Sequence, residues 1–171
     1  MRLIFFILLS LSLLNAGGGV LEVDWSSISK GQQEKSSAVY PTVLTEGIKN
    51  VHLPVYLTKS YAYEKNMVVV ADGEFYSISF ELEGASVVFE GDKTFQESVS
   101  PSNPEFQKIV QETSSVEYVE SEGMSVAEFN RHGVNYSVTV ECENLKTDKR
   151  CTQKNFIQSL YNGLVMVGGR P

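Results

Sequence analysis

From residue 51 onward, the chain is a series of short apolar runs separated by turn-forming residues. Seven runs can be counted, at residues 51–57, 67–71, 74–82, 85–90, 115–119, 124–129 and 134–142. Runs of this length, bounded by Gly, Pro, Asn, Asp or Ser, are typical of strands in antiparallel sheets. The pattern therefore predicts a mainly β fold, either a sandwich or a strongly curved sheet of about seven strands.

Two of these runs alternate between apolar and polar positions. The even-numbered residues are apolar from Tyr76 to Leu82 and again from Val134 to Cys142. Side chains along a strand point alternately to the two faces of a sheet. Each of these strands should therefore cover a core with one face and meet water with most of the other.

Turn residues predict how the strands are connected. Asp72-Gly73 suits a two-residue hairpin loop, because Gly takes the positive φ that such a loop needs, and Gly84 links the next pair. Residues 129–134 suit a type I turn with Gly133 in the left-handed bulge position. Pro54 indicates that the first run is an edge strand or an extended arm, because proline has no N–H to donate to a neighbouring strand.

Two segments depart from the strand pattern. Residues 100–115 begin as a proline-containing loop and then suit one short helix from Pro104. After Cys151, five apolar residues recur at helical spacing, namely Phe156, Ile157, Leu160, Tyr161 and Leu164. We expect an amphipathic C-terminal helix packed on the sheet, with Thr152 as its N-cap and Gly168-Gly169 as its end.

The only two cysteines are Cys142, at the end of the last predicted strand, and Cys151, before the predicted helix. A redox pair would need sulfurs two residues apart at a helix start, which this spacing lacks. A zinc site would need two further ligands, and His52 and His132 stand at no ligand spacing. We therefore predict a disulfide that ties helix to sheet and contributes roughly 2 to 3 kcal/mol. We predict no metal and no cofactor.

The N-terminus has the order of a secretory signal peptide, with Arg2, an apolar run ending at Leu14, and then small residues. The apolar run is shorter than the roughly 20 residues that span a bilayer, so a retained anchor is the weaker alternative. We predict a signal peptide at residues 1–18, an irregular lead-in at 19–50, and a single β-rich domain with a C-terminal helix at 51–171. The predicted location is secreted or periplasmic.

The chain is acidic, with a formal net charge of −7. Nucleic-acid phosphates and anionic lipids are bound by clustered Lys and Arg, and the one basic cluster, residues 146–150, is interpreted as a solvated loop. We therefore expect no nucleic-acid partner, and no membrane span after removal of the signal peptide. The sequence sets no oligomeric state.

Catalytic motifs are weak throughout the chain. No Ser stands in a Gly-x-Ser-x-Gly elbow. The acidic stretches match neither a calcium loop nor a defined glycosidase pair. The sequence therefore favours a protein that is not an enzyme, with an envelope-associated hydrolase that uses carboxylates or His132 as the alternative.

Tyrosines provide the best binding signal. Tyr56, Tyr61 and Tyr63 lie close together in a segment that also contains Pro and Lys. Exposed tyrosines stack on sugars or peptides at a low entropy cost, although tyrosines also pack in cores and rims. Asn135, in Asn-Tyr-Ser, matches the N-glycosylation pattern on the outward face of its strand.

Taken together, these features predict a non-catalytic binding module of the envelope or extracellular space. It would engage a protein, peptide or glycan through a β-face or an exposed edge strand. A third class, an assembly protein, would be indicated by a long unpaired edge near residues 51–57 and by self-association in solution.

Overall fold

The computed structural model describes residues 18–28, 40–96, 115–121, 123–144 and 146–171. Its strands are β1 (Gly18–Val20), β2 (Val55–Thr58), β3 (Met67–Ala71), β4 (Phe75–Leu82), β5 (Ala85–Asp92), β6 (Thr94–Gln96), β7 (Glu117–Ser121), β8 (Met124–Arg131), β9 (Val134–Cys142) and β10 (Leu164–Gly168). Its α-helices are α1 (Thr42–Gly47), α2 (Lys149–Thr152) and α3 (Lys154–Asn162), and a 3₁₀ helix covers Trp25–Ser27.

Six strands form one antiparallel sheet in the order β3-β4-β5-β9-β8-β7. Two smaller antiparallel sheets pair β1 with β6 and β10 with β2. The predicted mainly β fold with a C-terminal helix is confirmed. The three strands that raise the number above the predicted seven, β1, β6 and β10, are short, and the sequence patterns did not reveal them.

The core lies between one face of the six-stranded sheet and a second layer built from α1, α3 and the β2–β10 pair. The sheet contributes Tyr76, Phe80 and Phe89, and the second layer contributes Leu44 of α1 and Ile157 of α3, all fully buried. Burying a large apolar side chain stabilises a fold by about 1.5–3 kcal/mol. The alternation predicted for β4 and β9 is confirmed, because their even-numbered residues face this core, with Leu82 at the end of β4 half-buried.

The β3–β4 hairpin is confirmed, but its turn is stabilised differently from the prediction. Gly73 does not take a positive φ. Instead, the Asp72 carboxylate accepts hydrogen bonds from the backbone N–H groups of Glu74, at 2.7 Å, and Phe75, at 3.1 Å. The turn is therefore stabilised by the Asp72 carboxylate as a hydrogen-bond acceptor, and not by a positive φ at Gly73.

The β8–β9 hairpin also differs from the predicted type I turn with a bulge. Arg131 pairs with Val134, so the loop has two residues. Both loop residues, His132 and Gly133, have positive φ, at 55° and 78°. This is the pattern of a type I′ turn, whose twist matches that of the flanking strands.

The run at 51–57 contains an edge strand, as predicted, because β10 is the only strand that pairs with β2 in the described structure, but this edge is not exposed. All four residues of β2 are buried, and β2 pairs with β10. Its other side is closed by tyrosines of the main sheet: the Tyr56 N–H donates to the Tyr76 hydroxyl at 3.0 Å, and the Tyr136 hydroxyl donates to the Pro54 carbonyl at 3.0 Å. Proline fits here because its missing N–H needs no partner.

The C-terminal helix is confirmed as α3, but it is shorter than predicted. Leu164 belongs to β10, where it pairs with Thr58 of β2, so the chain leaves the helix at Gly163. Thr152 is the last residue of α2 and does not cap α3. The apolar residues at 164–168 suit either a helix or a strand. They form a strand because they pair with the buried strand β2.

The sulfurs of Cys142 and Cys151 lie at disulfide distance, with 6.2 Å between the Cα atoms. The predicted pairing is thus shown. The link joins the end of β9 to the short helix α2, and α3 follows after Gln153.

The N-terminal segment contains more regular structure than the irregular lead-in that was predicted. It includes α1, and Ile28 and Ile48 belong to the core cluster, against which Trp25 also packs. The predicted signal peptide, except for Gly18 of β1, and the predicted helix from Pro104 lie outside the described residues. None of the helices in the described ranges is long and apolar enough to cross a membrane.

Candidate functional site at the open edge of the sheet

One face of the six-stranded sheet covers the core, and we call the other the open face. Its middle row crosses all six strands through Val68, Ser79, Val88, Thr139, Val126 and Val119. These side chains are half-buried or exposed. Small hydroxyl and β-branched side chains make this row a low surface that another polypeptide can approach.

The backbone of β3 has one side without a partner in the described part of the chain. The Asp72 N–H donates to the Phe75 carbonyl at 3.0 Å, so this pair is hydrogen-bonded. Hydrogen-bonded pairs alternate along an antiparallel ladder, and therefore Val70 and Val68 bond to β4. The N–H and C=O groups of Met67, Val69 and Ala71 consequently point away from β4, and no hydrogen bond from the described residues reaches them.

The side chains of β3 do not protect this edge. Val68 and Val70 lie on the open face and are 59% and 57% exposed, and Met67–Ala71 carries no charge. The opposite edge strand, β7, carries exposed Glu117 and Glu120. Because charged side chains are the usual protection against edge-to-edge pairing, the two edges differ in kind.

The edge is held firmly from the core side. Met67 is buried, and α1 approaches β3 so closely that a Cβ on Gly47 would lie 2.6 Å from Val69 Cγ1. The Asp72 turn fixes the end of the strand. An incoming strand would therefore meet a preformed edge, which lowers the entropy cost of binding.

The three tyrosines predicted to bind a ligand lie in three separate ring clusters. Tyr56 is only 2% exposed, and its ring contacts that of Tyr136 edge-on at 5.3 Å. Tyr61 is half-buried on Phe80, at 4.9 Å between ring centroids. Tyr63 is 53% exposed and packs beside Tyr40. Their binding role stays a prediction, and of the three only Tyr63 offers a largely exposed ring.

His132 lies in a hydrogen-bonded chain that attaches the N-terminal segment to the β8–β9 turn. Its Nε2 is 3.0 Å from the Tyr56 hydroxyl, its Nδ1 makes a short contact with Ser27 Oγ, and the Ser27 hydroxyl donates to the Asp24 carbonyl at 2.8 Å. One direction of donation satisfies all three contacts: Tyr56 to His132, His132 to Ser27, Ser27 to Asp24. This direction is opposite to the one in which a histidine base activates a serine nucleophile.

The stability of the protein should depend on pH through His132. Burial, and then the nearby Arg131, lower the pKa of His132 below 6.5, and Asp24 opposes them. The unfolded chain therefore binds the proton more readily, and stability should fall as pH drops below 6.5 toward the folded-state pKa. Urea unfolding between about pH 7.5 and pH 5.5 would measure this loss.

The matched variant is His132→Asn, because Asn also tolerates positive φ in a type I′ turn. It should be less stable than the wild type at neutral pH but should lack this step in stability. Equal pH slopes in the two proteins would contradict the assignment to His132.

Carboxylates converge at one end of the open face. A cavity of about 480 Å³ is lined by Glu90, Asp92, Glu117 and Glu128, with Phe75 among the other lining residues. Glu117 stands directly opposite Glu128 in the β7–β8 ladder. Glu90 and Asp92 lie on β5, Glu117 on β7 and Glu128 on β8, so only the strand order brings these acids together.

The described residues contain no cluster of His, Cys, Asp or Glu suited to hold a metal ion.

The open edge of β3 could not be predicted from the sequence. The run at 67–71 has the pattern of an ordinary strand, and the sequence does not show which strands have only one neighbour. The only sequence feature that indicated it was the absence of charge from Met67 to Ala71.

Comparisons with protein-family models, curated proteins and solved structures found no match to this chain.

Proposed function

We propose that the protein is a secreted or periplasmic, non-catalytic binding module that takes up an extended segment of a protein or peptide as an added strand beside β3. One observation carries the proposal: the backbone N–H and C=O groups of three alternate residues, Met67, Val69 and Ala71, point outward at an uncharged edge and have no partner in the described structure. Strand addition of this kind is a recurring mode of peptide recognition.

The edge can supply both affinity and selectivity. Each outward residue offers one N–H and one C=O, and a hydrogen bond contributes a net of about 0.5–1.5 kcal/mol. Exposed Val68 and Val70 would pack against alternate side chains of the added strand on the open face. The preferred ligand is thus an extended segment with β-branched or other apolar residues at every second position.

The location is part of the proposal. The predicted signal peptide and the cysteine pair at disulfide distance are both compatible with an oxidising compartment outside the cytosol. The acidic charge of the chain gives no support to nucleic acid as the ligand.

A lysine on the edge strand should weaken ligand binding. We expect Val68→Lys to weaken binding by about tenfold or more, because it places a charge where an added strand would pack. Binders would be selected from an array of extended peptides using the exported protein, and their affinities measured by calorimetry.

Val119→Lys is the matched control, since Val119 occupies the same cross-strand row on the opposite edge strand and is 37% exposed. It should change affinity by less than about twofold. A second variant, Val69→Pro, removes one outward N–H without removing a β3–β4 hydrogen bond, and it should also weaken binding. An array without binders, or equal losses for the two lysine variants, would count against strand addition at β3.

A further inference from the structure

The outward backbone groups of β3 are arranged symmetrically about Val69. Met67 lies two residues before Val69 and Ala71 two residues after it, and the backbone N–H and C=O groups of all three point away from β4. If two β3 strands pair antiparallel with Val69 opposite Val69, then Met67 of each lies opposite Ala71 of the other. Every outward group of both strands is then hydrogen-bonded, as a two-fold interface requires.

The side chains are self-complementary in the same register. Val68 lies opposite Val70 of the second copy, on the open face, so four exposed valines cover one another. β-branched pairs directly opposite one another are favourable cross-strand neighbours. The edge has no charge that would face a like charge, which is the usual obstacle to such pairing.

The residues just beyond the strand fit this register as well. Asn66 faces Asp72 of the second copy, so an amide donor meets a carboxylate. The pairing ends there, because the Gly73 carbonyl already accepts a hydrogen bond from the His52 N–H at 2.8 Å. Two such Asn66–Asp72 contacts, related by the two-fold axis, would fix the register against slippage by two residues.

From these features we infer that the strand added at the β3 edge is β3 of a second copy of this chain. The inference rests on the proposed function of the edge and names its partner. The two six-stranded sheets then form one continuous sheet, with both open faces on the same side. A single strand pair is a small interface, so we expect a dissociation constant on the order of micromolar.

The dependence on salt distinguishes this partner from a basic peptide. Each copy carries a formal charge of −7, so two copies repel one another, and added salt should strengthen their association. A cationic peptide would instead be bound more weakly as salt is added.

Analytical ultracentrifugation of the exported protein up to about 0.1 mM would test the inference. We expect a monomer–dimer equilibrium, a monomer for Val68→Lys, and an unchanged dimer for Val119→Lys. A wild-type monomer at the highest concentration, or a dimer that survives Val68→Lys, would overturn the inference.

Cysteine variants test the register independently. Val68 and Val70 would form a non-hydrogen-bonded pair, with Cα atoms at about 4.5 Å, which suits a disulfide. An oxidised mixture of Val68→Cys chains and Val70→Cys chains should give mainly the mixed cross-link, with little cross-linking in either variant alone. Predominant like-with-like cross-links would refute the register centred on Val69.

The outcomes separate the inference from the proposed function. A monomer that binds array peptides and loses them on Val68→Lys would refute the second copy as partner but retain strand addition. A monomer without any binder would refute both. A dimer that depends on Val68 and shows the mixed cross-link would support both.

Discussion

Replacing both Tyr76 and Tyr136 with phenylalanine is expected to lower the free energy of unfolding by about 2 to 5 kcal/mol. The Tyr76 hydroxyl accepts from the Tyr56 N–H at 3.0 Å and lies 3.4 Å from the Tyr56 carbonyl. The Tyr136 hydroxyl donates to Pro54. Each substitution keeps the ring and removes the hydroxyl, which leaves buried backbone groups of Pro54 and Tyr56 without these partners.

The two rings reach β2 because β5 has no side chain in their way. A Cβ on Gly91 would lie 2.5 Å from Tyr76 Cε1 and 2.8 Å from Tyr136 Cε1. Burial raises the pKa of both hydroxyls, so they stay protonated and keep their donor role. Tyr76 and Tyr136 are therefore hydrogen-bond partners for the unpaired side of β2 as well as core residues.

Urea unfolding would measure the effect, with the Tyr61→Phe/Tyr118→Phe double variant as the matched control. These two rings are half-buried, and within the described structure their hydroxyls make no hydrogen bond. The control should cost less than about 1 kcal/mol. If both double variants lost the same stability, the change would be due to the rings and not to the sealing of β2.

Removing the disulfide by Cys142→Ala together with Cys151→Ala should lower the free energy of unfolding by roughly 2 to 3 kcal/mol. The link closes a loop with a sequence separation of 9 and fixes α2 against the end of β9. Without it, the unfolded chain gains conformational freedom, and a noncovalent tie of the loop remains, from Arg150 to the Glu83 carbonyl at 2.8 Å.

Denaturation of the wild type with and without a strong reductant provides the control. The reduced wild type should match the double alanine variant to within about 1 kcal/mol. Arg150→Gln in the oxidised protein should have a smaller effect, because it removes a half-buried ion pair with Asp148 and one hydrogen bond but leaves the covalent link of the loop in place. Unchanged stability after reduction would contradict a structural role for the pair.

The fold class could be predicted because the signals for it are local. Alternation in β4 and β9 depends on the direction of successive side chains, and the hairpins depend on turn residues near Gly84 and Gly133. The cysteine pairing followed from an even count and from the predicted compartment. None of these inferences requires knowing which distant segments meet.

The predictions failed or were incomplete where the local structure depends on pairing between segments far apart in the chain. Leu164 fits a helix by spacing, but residues 164–168 instead pair with β2. Pro54 correctly indicated an edge strand, but only the structure shows that Tyr76 and Tyr136 cover that edge. The binding role of Tyr56 stays a prediction, and only the tertiary structure shows that its side chain is buried.

By itself, the sequence determined seven of the ten described strands, most of the hairpins, the cysteine link and the acidic character of the chain, because periodicity, turn chemistry and composition act within a few residues. Only the tertiary structure decided that β3 has a single neighbour, that its outward groups are those of Met67, Val69 and Ala71, and that four carboxylates share one cavity. Strand order and hydrogen-bond alternation arise between segments far apart in the chain, and no local pattern records them.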